Sequence, residues 1–273
     1  MEASSLTPNQ FQTLLFLCRE QKVESVEMNR PMMDFIKSAG LAPRLYHLIK
    51  QNGWEHGFTN DALSQFKLAY MSTLVRNRQI WSVWQAVASI LNAHEIDLIA
   101  LKGSALAFTV YPDEGIRPMG DLDLLVREGN GARARQLLLD AGAVARYVPQ
   151  SQVHDQVHAH VSAITYKGVL VEIHQRLYAM GDPLNPPSEP LWAQCQSRMV
   201  AGSVMTVLDD AHMVYHIATH AWHGYRLGGM RLGWLLDIVA VMMRHVDELH
   251  VFNKHVEALT HFAAILKPAP VFQ

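Results

Sequence analysis

Leu101-Lys102-Gly103-Ser104 and Met119-Gly120-Asp121-Leu122-Asp123-Leu124-Leu125-Val126 are the two segments that decide the fold of this chain. The first predicts a tight turn from an apolar strand into a helix capped by Ser104, and the second predicts a strand. Side chains alternate between the two faces of a strand, so Asp121 and Asp123 point the same way. Two such carboxylates repel each other unless a cation lies between them, and Mg²⁺ prefers oxygen ligands of this kind. The pattern therefore indicates metal-dependent chemistry on phosphoryl groups.

A third acid, Glu172, lies on a later predicted strand, where it shares one face with Leu170 and His174. An acid on an otherwise apolar strand needs a partner when it is buried. If this strand lies beside the strand of Asp121 and Asp123, the three carboxylates meet and can hold two Mg²⁺ ions. Such a pair of ions clamps the attacking and leaving oxygens of a displacement at phosphorus.

The composition restricts the class of protein. With 273 residues, 49% of them hydrophobic, the chain can bury a large core, and its net charge of -2 gives no overall attraction to nucleic acid. The cysteines, Cys18 and Cys195, match no metal or redox spacing and predict free buried thiols. We find no secretory signal and no apolar run of the ~20 residues that span a bilayer, so we expect a cytoplasmic protein that makes no contact with a membrane.

The order of predicted elements indicates an α+β fold, with a small mixed β-sheet core flanked by N-terminal and C-terminal helical regions. We place these parts at residues 1–95, 96–181 and 191–273, with a proline-rich linker over 182–190. Asn60 or Asp61 is expected to cap a long helix, and only helices are expected after the linker. The predicted helices cover 41–49, 62–93, 104–110, 132–141, 209–222, 231–245 and 251–266, with a further start at Thr7. The predicted strands cover 98–101, 122–126, 161–166 and 169–173, the last two as a hairpin around Lys167-Gly168. Gly224 is expected to end the helix that starts at 209, and a turn at Gly228-Gly229 to precede the next one.

Several short segments together resemble a known family. The two opening segments, Ile116-Arg117-Pro118 and Val171-Glu172-Ile173-His174 are similar to the bacterial uncharacterised nucleotidyltransferases of the DNA polymerase beta-like nucleotidyltransferase superfamily. The resemblance runs from about Arg76 to about Asp237, and the Asp strand with its Arg-Pro-Met-Gly lead-in is its specific part. It implies an enzyme that moves a nucleoside monophosphate from an NTP, ATP among them, to an acceptor hydroxyl and releases pyrophosphate.

The resemblance also implies roles for individual residues. Asp121 and Asp123 would hold two Mg²⁺ ions, with Glu172 as the third carboxylate and the base for the attacking hydroxyl. Gly103 and Ser104 would bind the triphosphate. The gap of sixteen residues between Ser104 and Asp121 exceeds the usual one, so either the loop over 111–119 covers the site or the Gly-Ser turn is displaced.

Three further residues have two interpretations each. Lys102 either contacts a phosphate or pairs with an acid. Arg117 either binds the triphosphate or forms a salt bridge within its loop. His174, on the same strand face as Glu172, either orients that acid or contacts the substrate.

Two other classes of function remain open. One is a non-catalytic module on the same fold that binds a nucleotide or a partner. The other is a metallohydrolase built on His212, His216 and His220, which are spaced four apart on one helix but lack the intervening Glu of the metalloproteases. His154, His158 and His160 match no zinc spacing, and we interpret them as exposed or core residues. The acceptor is left open as a small molecule, a protein side chain or an RNA end.

Overall fold

The computed structural model describes residues 28–146, 152–226 and 231–248. The predicted helix start at Thr7, the thiol of Cys18, the turn at Gly228-Gly229 and the predicted last helix over 251–266 lie outside the described residues. Within them the α+β class is confirmed, with helices first, a mixed sheet in the middle and helices last. The three-part division of the chain stays a prediction.

The helices agree with the predicted ones in place but differ at several ends. The long helix α3 is capped by Thr59, whose Oγ accepts a hydrogen bond of 3.2 Å from the backbone N–H of Ala62, and not by Asn60 or Asp61. Gly224 does not end the helix that begins at Asp210. The α-helices are α1 (Arg30–Ser38), α2 (Ala42–Asn52), α3 (Asn60–Asn92), α4 (Lys102–Thr109), α5 (Gly131–Asp140), α6 (Gln152–Val157), α7 (Ser188–Ala193), α8 (Asp210–Arg226) and α9 (Leu232–Met242), and 3-10 turns cover Glu55–Gly57 and Met243–Glu248.

The sheet of the described residues has seven strands in the order β3-β4-β5-β2-β1-β7-β6. β2 pairs in parallel with β5 and antiparallel with β1, so the sheet is mixed, as predicted. The predicted hairpin at Lys167-Gly168 is confirmed, and both turn residues have the positive φ that a two-residue turn requires. The strands are β1 (Leu98–Ala100), β2 (Asp121–Val126), β3 (Val144–Ala145), β4 (Ile164–Tyr166), β5 (Val169–His174), β6 (Gln196–Val200) and β7 (Ser203–Val207).

The hairpin of β6 and β7 corrects the expectation of helices alone after the linker. It turns at Ala201-Gly202, where φ is 44° and 78°. β7 then adds to the sheet in parallel with β1, at the pair Ala100 and Val207. The sheet is therefore wider than the sequence indicated, and it extends into the region that we predicted to be helical.

Helix α3 joins the N-terminal helices to the sheet because it buries different side chains along its length. Phe66, near its start, packs in a cluster with Leu45 of α2, whereas Trp84 and Leu91 pack in the main core with strand residues such as Leu122. At 33 residues the helix is ~50 Å long. No helix of the described residues has both the length and the apolar character that crossing a bilayer requires.

Candidate metal and nucleotide site

The parallel pairing of β2 with β5 brings the predicted acids together. Asp123 lies directly beside Glu172, and His174 lies two residues further along β5, on the same face of the strand. Ligand atoms of Asp123, Glu172 and His174 are all within 4.8 Å of one another, which is close enough to share one metal ion. The sequence predicted that Asp121, Asp123 and Glu172 would meet. In the structure His174, and not Asp121, is the third member of this group. Asp121 stands at the start of the strand and lines the adjoining cavity.

Asp123 is the most constrained of these acids. Its side chain is 5% exposed, and its Oδ1 lies 2.7 Å from Lys102 Nζ and 3.0 Å from His174 Nε2. Lys102 therefore pairs with an acid, one of its two predicted roles. His174 orients Asp123 and not Glu172, whose Oε2 is 3.9 Å from the same nitrogen.

The electrostatics of the site separate its acids. Burial raises the pKa of Asp121 and of Glu172, and the charge of Asp123 adds to the effect on both. Burial also opposes the charge of Asp123, but Lys102 and His174 outweigh it and hold its pKa below the usual range. Burial and the charge of Lys102 lower the pKa of His174 to about 4. Two carboxylates are thus costly to ionise, and a divalent cation among these oxygens and the imidazole would relieve that cost.

Ser104 is not placed as the sequence suggested. Helix α4 begins earlier, at Lys102 with Leu101 as its N-cap, so Ser104 does not cap it. The hydroxyl of Ser104 is buried and accepts a hydrogen bond of 3.0 Å from the backbone N–H of Asp123. Ser104 therefore fixes the strand that carries Asp123, and it is not among the residues that line the cavity.

Gly103 leaves room for a guanidinium group. A Cβ at this position would lie 2.1 Å from Nη1 of Arg117. Arg117 forms a salt bridge with Asp237 on α9, at 2.9 Å between Nη2 and Oδ2, and Tyr111 donates to the other oxygen of Asp237 at 2.7 Å. Arg117 therefore forms a salt bridge with a distant helix, and not the one within its own loop that we considered from the sequence.

The loop over 111–119 is fixed to helix α3. Asn77, wholly buried, donates to the carbonyl oxygens of Glu114 at 2.6 Å and Arg117 at 2.8 Å, and Tyr70 donates to Asp113 at 2.7 Å. Sequence reasoning assigned no role to Asn77, although an amide on the apolar side of a helix is a signal for a buried hydrogen bond. Leu101 donates to the carbonyl oxygen of Asp123, which ties the start of the turn to β2, and the loop over 111–119 lines the site.

A cavity of about 610 Å³ opens over these residues, a volume typical of small-molecule sites. Lys102, Gly103, Asp121, Asp123 and Glu172 line it on the side of the sheet. Its other walls come from the loop and from helices α1, α2, α8 and α9, with Lys37, Arg44, Arg117, His220, Arg231 and Trp234 among the lining residues.

The histidines of α8 do not form a metal-binding group by the same distance criterion, within the part of the chain that the structure describes. The ring of His212 forms a hydrogen bond with the carboxylate of Asp209, just before the start of the helix, and His216 is buried. His220 lines the cavity, with its ring 4.7 Å from that of Trp234. Of the other histidines, His158 is exposed and the ring of His160 packs against that of His174.

The family described as uncharacterised nucleotidyltransferase matches residues 30–263. The chain belongs to this family. The match confirms the resemblance seen in the sequence, and it implies an NTP substrate and an enzyme that transfers a nucleotidyl group. A comparison with functionally curated proteins gives no match.

Solved structures offer distant likenesses. The solution structure of the antibiotic-resistance factor ANT(2'')-Ia is 10% identical, with 69% of this chain and 95% of that chain covered at a TM-score of 0.49. The crystal structure of ANT(2'')-Ia with adenylyl-2''-tobramycin gives 9% identity, 66% and 98% coverage and a TM-score of 0.46. An antigenic nucleotidyltransferase-like protein from Paracoccidioides brasiliensis is 16% identical, with 69% of this chain and 90% of that chain covered at a TM-score of 0.42. These likenesses are too weak to carry a substrate to this chain.

Proposed function

We propose that the protein transfers a nucleoside monophosphate from an NTP to an acceptor hydroxyl, with two Mg²⁺ ions and release of pyrophosphate. The observation that carries the proposal is the meeting of Asp123, Glu172 and His174 beside Asp121 at a cavity large enough for a nucleotide. Family membership supports the reaction class. The acceptor, whether a small molecule, a protein side chain or an RNA end, is left open.

Asp121, Asp123 and Glu172 would hold the metal ions, with His174 close enough to contribute or to orient Asp123. Bound Mg²⁺ supplies charge stabilisation at the transferring phosphoryl group. The carboxylates are suited to this task because they are packed closely. Without a cation, burial makes the ionisation of Asp121 and Glu172 unfavourable. We assign Ser104 to positioning Asp123, since its hydroxyl is engaged with the backbone of that residue.

Glu172 would accept the proton of the attacking hydroxyl. Its carboxylate lines the cavity directly beside Asp123 in the strand register, which is the position that this role requires. Gly103 lies in the first turn of α4, where backbone N–H groups favour an anion, so we place the triphosphate there. Arg117 lines the cavity beside Gly103 and would add its positive charge while bound to Asp237.

Transfer of label from each of the four α-³²P-labelled NTPs tests this proposal, with total RNA, total protein and a small-molecule extract as acceptor pools. We expect Mg²⁺-dependent labelling of one pool by the wild type. Asp121→Asn and Asp123→Asn should each reduce it by about 10²-fold or more, because each removes a carboxylate that would hold the metal ions stabilising the charge on the reacting phosphate. The matched control is Asp97→Asn, an exposed acid paired with Arg127, which should keep full activity. Labelling by Asp123→Asn at the wild-type rate would overturn the proposal.

A further inference from the structure

Lys102 has a backbone conformation that lysine seldom adopts. Its φ is +46°, in the left-handed region that carries a steric cost for any residue with a Cβ. This conformation occurs between β1 and the rest of α4, at the edge of the cavity. Strain of this kind persists only where the surroundings enforce it, and it is concentrated at functional sites.

The side chain of Lys102 also makes a short contact with Asp123. Nζ lies 2.7 Å from Oδ1, with the two side chains 19% and 5% exposed. The carboxylate is one of the three groups whose ligand atoms could share a metal ion. An ammonium ion and a divalent cation at the same oxygen repel each other strongly where water is largely excluded.

We propose that Lys102 is a built-in counter-cation that competes with the metal ion for Asp123. The ammonium group neutralises the buried carboxylate, and it has to leave Oδ1 before a divalent cation can bind there. Lys102 thereby weakens the binding of metal by the protein alone. Lys102 is a positioning residue in this account, and the inference rests on the proposed function because it takes the acids as metal ligands.

Manganese binding measures this competition directly, by calorimetric titration of the purified full chain with Mn²⁺ alone. Lys102→Met keeps much of the length of the side chain and removes its charge. We expect this variant to bind Mn²⁺ about tenfold more tightly than the wild type, which is within the usual range of coupling between two ligands. In EDTA the same variant should unfold at a lower temperature than the wild type, because Asp123 is left buried without its cation.

Lys37→Met is the matched control, since Lys37 lines the same cavity but is an exposed lysine of helix α1. It should leave Mn²⁺ affinity unchanged within about twofold, a change smaller than specific coupling produces. An equal gain in Lys37→Met would mean a general charge effect and would overturn the inference. Unchanged or weaker Mn²⁺ binding by Lys102→Met would also overturn it.

Two further variants separate the possible failures. If the wild type and Asp123→Asn show the same Mn²⁺ titration, the proposed metal site itself fails. If Asp123→Asn loses binding and Lys102→Met gains none, only the competition fails. If Lys102→Met does not fold in EDTA, the double variant Lys102→Met/Asp123→Asn removes both charges and should regain stability. A double variant as unstable as Lys102→Met would assign the lysine a different structural role and overturn the inference.

Discussion

Asp123 shows at the scale of one residue how the chain builds its site. Its carboxylate is held by Lys102 and His174, while its backbone N–H is held by the hydroxyl of Ser104. The Gly-Ser turn is thus connected to the Asp strand by direct bonds. The sequence predicted that both segments belong to one site, but it did not show that Ser104 acts on the backbone of Asp123. That detail depends on where α4 begins, and the ends of helices are weakly encoded locally.

The packing of Arg117 on Gly103 predicts the effect of a methyl group. Gly103→Ala should lower the free energy of unfolding by ~1–3 kcal/mol, because the new Cβ collides with a guanidinium that Asp237 holds in place. Urea denaturation measures the change. Gly120→Ala is the matched control, since a Cβ there meets no atom within 4 Å, and it should change stability by less than ~0.5 kcal/mol. Equal effects of the two variants would contradict the packing described.

The ionisation of His220 predicts how stability depends on pH. Burial, followed by the charge of Lys102, lowers its pKa to about 4 from 6.5. Between these values the unfolded chain binds a proton that the folded protein does not, so stability is present above pH 6.5 and falls as the pH drops toward 4. In His220→Gln the slope of unfolding free energy against pH should be shallower by up to ~1.4 kcal/mol per pH unit. An unchanged slope in urea denaturation at successive pH values would contradict a half-buried imidazole that is neutral in the folded protein.

At the scale of elements, the sequence predicted one of two hairpins with two-residue turns and missed the other. Lys167-Gly168 lies between two strongly apolar strands, and the hairpin was predicted. Ala201-Gly202 has the same backbone conformation, but the strands beside it are more polar and the hairpin was missed. The alternation in β6 is weak because this strand is at the edge of the sheet and exposes several of its side chains.

Helix α9 is attached to the loop over 111–119 through one buried acid. Asp237 is 1% exposed and accepts from both Arg117 and Tyr111. Asp237→Ala should lower the free energy of unfolding by ~3 kcal/mol, because it leaves the Arg117 cation buried without its partner. Glu114→Gln, which breaks the more exposed pair with Arg78, is the control and should cost less than ~1 kcal/mol. A loss in Asp237→Ala no larger than in the control would mean that this bridge does not hold the helix.

At the scale of the whole molecule, the cavity is assembled from segments that are far apart in the chain. The bond between Arg117 and Asp237 spans 120 residues, and helices α1, α2, α8 and α9 complete the walls opposite the sheet. Local patterns in the sequence predicted the acids and their strands because each depends on alternation over a few residues. The walls depend on how α3 packs both helical regions against the sheet, and no local pattern carries that information.

Thermal unfolding with each of the four NTPs, with and without Mg²⁺, tests the central claim most directly when the wild type is compared with Asp123→Asn. A ligand at a hundred times its dissociation constant stabilises the folded state by ~2.7 kcal/mol, which gives a clear shift of the transition. The account predicts that at least one NTP raises the unfolding temperature of the wild type only with Mg²⁺, and that Asp123→Asn loses the shift. A shift that is equal in EDTA, or equal in Asp123→Asn, would contradict a metal-dependent nucleotide site on these carboxylates.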